Sequence, residues 1–197
     1  FFYKDLIKFI KNKELFIKIF ISSLPVMILG FILVQTNLIS ELRNIKVIGW
    51  MTLLFGILLF ISDKFKMNKN IGNHFTYKSA IIIGLFQMIS LIPGVSRSGI
   101  TITAARLLKF NRYDSVKISF LLSIPTLAVV SLFGIKNIVS ADDINISLLN
   151  LISIFLSFVF SFITIKYFLR YIKNFNLDIF VIYRVILGIM ILAFAYL

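Results

Sequence analysis

The chain of 197 residues is 59% hydrophobic and 15% charged, which places it among integral membrane proteins and excludes an ordinary soluble domain. Its net charge of +13 comes from basic residues gathered in short loops between apolar segments. The positive-inside bias of a membrane protein accounts for that pattern, so no nucleic-acid partner is implied. The absence of cysteine excludes disulfides, thiolate metal sites and a cysteine nucleophile.

The chain opens at Phe1 without methionine, and FFYKDLIKFIKNK reads as the exit of a preceding span followed by a basic loop. An N-terminally incomplete sequence is therefore expected, and no secretory signal pattern is present. Spans are predicted at Leu15–Gln35, Ile45–Ser62, Ser115–Phe133, Leu148–Leu169 and Ile179–Leu197. Each is close to the ~20 residues that cross a ~30 Å hydrocarbon core. Pro25 and Pro125 fall inside spans, where neighbouring helices accommodate a kink. Lys64–Lys78, which holds the single histidine His74, reads as a solvated cytoplasmic loop. Asp63, Asp114 and Asp178 lie near span ends, where a capping or interfacial role suffices.

Ala80–Leu108 breaks the pattern. Its first arm offers about 13 apolar residues before Pro93, roughly 20 Å of helix, too short to cross. The break itself reads Pro93-Gly94-Val95-Ser96-Arg97-Ser98-Gly99. Basic residues precede the first span (Lys4, Lys8, Lys11, Lys13), follow the second (Lys64, Lys66, Lys69, Lys78), follow the break (Arg106, Lys109, Arg112) and precede the last span (Arg170, Lys173). The loop at Ala141-Asp142-Asp143 is acidic and the one around Glu41 is mixed. With every basic loop in the cytoplasm, the topology closes only if Ala80–Leu108 enters and leaves by one side; a single distorted span would violate the charge rule. The predicted fold is an all-α integral membrane protein with about five transmembrane helices and one re-entrant helical hairpin at residues 80–108. Residues 1–197 form a single membrane domain, read as part of a larger one.

A polar, basic break at bilayer depth is expensive and usually lines a functional cavity. Arg97 presents a planar donor fork that matches phosphate oxygens, with pairing to carbonyls or a carboxylate as the structural alternative. Ser96 and Ser98 offer hydroxyls to a phosphate, or a nucleophile if a base is near; they could equally satisfy broken backbone. Gly94 and Gly99 permit tight backbone and close ligand approach. The second arm starts near Ser98–Thr101, so its free N–H groups add to an anion site. Thr101 and Thr103 are weaker candidates. Gln87, about one and a half turns before Pro93, faces either the same cavity or a neighbouring helix. Arg184, inside the last span, is expected to snorkel to the interface, with a direct ligand role as the alternative. The apolar part of the hairpin holds no carboxylate, so the cradle comes without an evident base.

The run GLFQMISLIPGVSRSGITITAARLLKFNR, followed by FLLSIP, resembles the second signature of the bacterial undecaprenyl-diphosphate phosphatases, the bacitracin-resistance family. SLPVMILG around Pro25 and IYRVILG around Arg184 extend the resemblance from about Phe1 to the C-terminus. It implies a membrane phosphatase that converts undecaprenyl diphosphate to undecaprenyl phosphate, the recycled lipid carrier of envelope polymers, in the bacterial inner membrane. It implies an inverted-repeat fold in which two re-entrant hairpins meet near mid-bilayer. Ser96, Arg97 and Ser98 map onto the family's SRS, Arg97 as the diphosphate-binding arginine. A divalent cation, Mg2+ or Ca2+, is implied, with no ligands identifiable in this chain. The family's glutamate-rich signature has no counterpart here, so catalysis by residues 1–197 alone is not expected. The partners implied are the polyprenyl diphosphate and the bilayer; a homodimer is left open. The alternatives are a polyprenyl-phosphate transporter or flippase, or a non-catalytic homologue.

Overall fold

The computed structural model describes residues 13–36, 42–65, 67–139 and 148–197. Helices α1 (Lys13–Gln35), α2 (Ile45–Asp63), α3 (Ile71–His74), α4 (Tyr77–Met88), α5 (Arg97–Leu107), α6 (Arg112–Val139), α7 (Leu148–Asn174) and α8 (Asp178–Tyr196) follow in order, with a 3₁₀ turn at Ile89–Leu91 closing α4. Helices α1, α2, α6, α7 and α8 are long and apolar enough to cross a membrane, and they match the five predicted spans. The chain is a multi-pass, all-α membrane protein. Observed helices overrun the predicted ends: α6 begins at Arg112 and α7 runs on to Asn174. Backbone hydrogen bonding continues through polar end turns where hydropathy stops marking the helix. The basic residues Lys4, Lys8, Lys11 and Lys66, the loop around Glu41 and the acidic run at Ala141-Asp142-Asp143 lie outside the described residues.

Residues 77–107 turn back on themselves. Helix α4 and its 3₁₀ turn rise to Pro93, and the 11-residue α5 descends beside them. The feet are tied together: the Lys69 N–H donates to the Lys109 carbonyl at 3.1 Å and the Asn111 N–H to the Lys69 carbonyl at 3.0 Å. The Ile71 N–H donates to Asp114 Oδ2 at 3.1 Å, and the rings of Phe75 and Phe110 meet edge to face at 6.1 Å. A distorted single span would hold these residues a membrane's thickness apart. The chain instead returns to the level at which it left.

Two expectations are corrected at these feet. Lys64–Lys78 is not simply a solvated loop: α3 is capped by Asn70, whose side chain accepts from the Asn73 N–H at 3.0 Å, and Phe75 is buried. Phe75 packs edge to face on Phe110 and both rings are buried, while His74 stays exposed. Asp63 is more than an interfacial cap. Its buried carboxylate accepts from Arg106 Nη2 at 3.0 Å, Arg112 Nε at 2.9 Å and the Leu177 N–H at 3.3 Å. One carboxylate thereby fastens the ends of α2, α5, α6 and α8.

Helix association in lipid depends on close packing, since the tails are as apolar as leucine. Small residues provide it. A Cβ on Gly188 would stand 3.0 Å from Leu53 Cβ, and one on Gly84 would stand 2.3 Å from the Ser22 carbonyl oxygen. These contacts bring α8 against α2 and α4 against α1. Helix α5 lies between two apolar clusters, Ala104 and Ala105 in one with Ile83 and Leu121, Ile102 in the other with Leu59 and Val181. The tip is thereby fixed between α2, α6 and α8. Helix α7 stays peripheral, with Ile154, Phe155 and Phe158 turned outward.

Candidate active site

Backbone at bilayer depth must find partners within the protein, and the tip accounts for its own. The Ile92 N–H donates to the Ile89 carbonyl and the Val95 N–H to the Ile92 carbonyl, each at 3.1 Å. Ser96 is the N-cap of α5: its extended backbone turns the hydroxyl back to accept from the Gly99 N–H at 3.2 Å. Gly94 has φ +92°, and its carbonyl accepts from Thr52 Oγ1 at 3.3 Å and Arg184 Nη2 at 3.1 Å. A Cβ there would stand 2.4 Å from the Ile48 carbonyl oxygen, so glycine is required for the approach of α2. Gly94 makes room for a helix, and it also borders the cavity that Ser96 and Ser98 line.

Arg97, the first residue of α5, is aimed at α6. Its Nη2 donates to the Leu122 carbonyl at 2.9 Å and to Thr126 Oγ1. Pro125 removes one N–H from this turn of α6, and the hydroxyl of Thr126 follows it directly. With the Gln87 amide oxygen turned toward the guanidinium, that oxygen accepts from Nε and Nη2, both at 3.2 Å. Gln87 is fully buried, so of its two predicted roles the structure selects the interhelical one: it holds Arg97 rather than lining a cavity. None of these bonds uses Nη1. Arg97 lines a cavity of about 430 Å³ walled by Val26, Phe31, Val130 and Phe133.

Ser96 and Ser98 open elsewhere. Their hydroxyls lie 3.3 Å apart and line a separate cavity of about 470 Å³ with Thr52, Leu59, Phe180 and Arg184. The SRS triplet therefore does not converge on one point. Successive residues around a helix start turn by about 100°, so the arginine faces α6 while the flanking serines face α2 and α8.

Of the remaining candidates, Thr103 behaves as expected, while the readings of Thr101 and Arg184 change. Thr101 is buried, and its hydroxyl bonds Ser119 Oγ at 2.7 Å and the Arg97 carbonyl at 2.9 Å, so it ties α5 to α6 and lines neither cavity. Thr103 bonds the Gly99 carbonyl at 2.8 Å, as hydroxyls in membrane helices do. Arg184 does not snorkel: it is only 7% exposed and reaches inward to the tip. A Cβ on Gly99 would stand 3.0 Å from its Nη1, so that glycine admits a side chain from α8. Thr52, Ser119 and Thr126 were not singled out by the sequence. Thr126 carried a signal, as a hydroxyl directly after an intramembrane proline.

The tip gathers guanidinium, hydroxyl and helix N–H groups, all donors toward an anion. Divalent cations take oxygen ligands, carboxylates foremost, and among the described residues no group of three or more His, Cys, Asp or Glu is placed to hold a metal ion. The described residues of the tip offer donors for an anion and no ligand set for a cation.

Fold and site together define a polytopic membrane protein with a cluster of hydrogen-bond donors on the tip of a broken hairpin. Residues 2–190 match the family described as bacitracin resistance protein BacA, and the chain belongs to that family. It is 47% identical over 197 residues to an undecaprenyl-diphosphatase of Pelagibacter ubique (strain HTCC1062), covering all of this chain and 77% of that protein. It is 36% identical over 176 residues to an undecaprenyl-diphosphatase of Jannaschia sp. (strain CCS1), covering 89% of this chain and 66% of that protein. An undecaprenyl-diphosphatase 2 of Pseudoalteromonas translucida (strain TAC 125) is 35% identical over 202 residues, covering 98% of this chain and 76% of that protein.

Proposed function

We propose that the protein hydrolyses undecaprenyl diphosphate to undecaprenyl phosphate and inorganic phosphate in the bacterial inner membrane. The observation that carries this reading is Arg97, a guanidinium at a helix N-terminus in a polar break, locked in place by Gln87, Leu122 and Thr126. Phosphoryl transfer depends on positioning and on electrostatic stabilisation of the transferring group. A guanidinium fixed before substrate arrives supplies both with little reorganisation. The bond between the terminal phosphorus and the bridging oxygen breaks, water oxygen ends on the released phosphate, and the lipid leaves as its monophosphate.

The polyprenyl chain is assigned to the apolar walls beside Arg97, where Val26, Phe31, Val130 and Phe133 surround the guanidinium with hydrocarbon. The hairpin feet are assigned to the cytoplasm by the basic residues around them, Lys69, Lys78, Arg106, Lys109 and Arg112. Charge on the bound headgroup is met at the tip by Arg97 and the first turn of α5.

The relatives' names support hydrolysis ahead of transport. The test is inorganic phosphate release from undecaprenyl diphosphate by the full-length protein in detergent, set beside headgroup translocation in sealed liposomes. Equal amounts of phosphate and undecaprenyl phosphate are expected. Headgroup crossing without phosphate release would replace this reading with transport.

A further inference from the structure

The one buried cation that the mechanism above leaves unused at the tip is Arg184. It comes from the middle of α8, 90 residues along the chain from Gly94, and only its Nη2 is engaged, by the carbonyls of Gly94 at 3.1 Å and Thr52 at 3.5 Å. Its Nε is buried without a partner. Among the described residues the ion pairs are Lys18–Glu14, Arg106–Asp63 and Arg112–Asp63, and none of the described carboxylates pairs with Arg184. A buried charge without a counter-ion is strongly unfavourable, and more so at membrane depth.

Its position adds to the cost. Nη1 lies against Gly99, in the first turn of α5, with Ser96 as the N-cap. That end of a helix carries the positive pole of the backbone dipole, where anions are stabilised and cations are not. Guanidinium and helix pole, two positive groups side by side, both border a cavity of about 470 Å³ that also receives the Ser96 and Ser98 hydroxyls. An anion in that cavity relieves both.

We propose that Arg184, with Ser96, Ser98 and the first turn of α5, forms a second phosphate site on the face of the tip opposite Arg97. The proposal rests on the reading of the tip as a diphosphate site and extends it from one arginine to two. The phosphate chemistry has two sources, the second phosphate group of the lipid substrate or the inorganic phosphate released by hydrolysis. Arg97 and Arg184 then hold separate anionic groups, which explains why consecutive residues of one motif open into different cavities.

The test is titration calorimetry of the full-length protein in detergent with inorganic diphosphate and, separately, with orthophosphate, together with the KM for undecaprenyl diphosphate. Arg184→Gln is expected to weaken binding of at least one inorganic anion about tenfold or more, the usual worth of a charge-assisted hydrogen bond. Weaker orthophosphate binding with an unchanged KM assigns the site to the released product; a raised KM assigns it to the lipid headgroup. Arg184→Lys keeps the charge and a donor for Gly94 but not the fork, so it should melt like wild type and still bind the anion less tightly. Unchanged affinity for both anions and unchanged KM in the folded lysine variant would overturn the proposal. Calorimetry does not require turnover. Anion binding lost with Arg184 in a protein that releases no phosphate would sink the hydrolase reading and leave the site standing. Hydrolysis with no role for Arg184 would do the reverse.

Discussion

Replacing Gly94 by alanine tests the construction of the tip in a single methyl group. The new Cβ would stand 2.4 Å from the Ile48 carbonyl oxygen and 2.9 Å from Ile48 Cα. To reach 3.0 Å from that oxygen, tip and α2 must part by about 0.6 Å, an overpacking that costs about 1–3 kcal/mol. The backbone at φ +92° adds about 1–3 kcal/mol for a residue with a side chain. The sum is about 2–6 kcal/mol, a large share of the stability of an ordinary domain. The same displacement stretches the bonds from Thr52 and Arg184 to the Gly94 carbonyl, so the arginines lose register as the fold weakens. Thermal unfolding in detergent and phosphate release are the assays, with Gly134→Ala as the control. A Cβ at Gly134 meets nothing within 4 Å, and alanine there should be neutral or stabilise the helix by up to about 1 kcal/mol. A Gly94→Ala protein that melts and turns over like the Gly134→Ala control would refute the argument that this position admits only glycine.

Other substitutions separate positioning, stability and binding. Gln87→Ala removes both acceptor contacts to Arg97, and charge-assisted bonds of this kind are worth about 1.5–3 kcal/mol. Its kcat should fall about tenfold or more, and addition of orthophosphate binding data should show Arg97 misaligned rather than absent; an unchanged kcat would contradict the role given to Gln87. Asp63→Ala leaves Arg106 and Arg112 without their shared carboxylate, a loss of about 3–5 kcal/mol for a broken buried pair, read as a lowered melting temperature. Thr101→Val should lower stability by about 1 kcal/mol through its lost bond to Ser119 while KM stays at the wild-type value. A raised KM there would return Thr101 to the substrate.

The spans were legible because crossing a bilayer takes a long apolar run, and each of the five stands out as one. The hairpin was legible for a different reason: the loops at its two feet carry the same sign of charge, and the structure shows those feet paired through Lys69, Lys109 and Asn111. Arg97 was legible as a charge where hydrocarbon was due. Its surroundings were not. Which way it faces depends on the turn of α5 after the Ser96 cap, and its partners Leu122 and Thr126 come from another helix. For Arg184, depth in a span suggests snorkelling, whereas its acceptor is a glycine carbonyl 90 residues earlier in the chain. The clasp on Asp63 likewise has no local signature, since four helix ends meet there only after folding.

The central claim is that Arg97 holds the diphosphate whose terminal phosphate is removed. Its most direct test is the rate of phosphate release from undecaprenyl diphosphate by full-length Arg97→Ala protein that elutes and melts as a folded species. Removal of one fixed electrostatic donor typically lowers kcat by about 10²–10³-fold, and a fall of that order is predicted here. Release at a rate near that of the wild type would contradict the account.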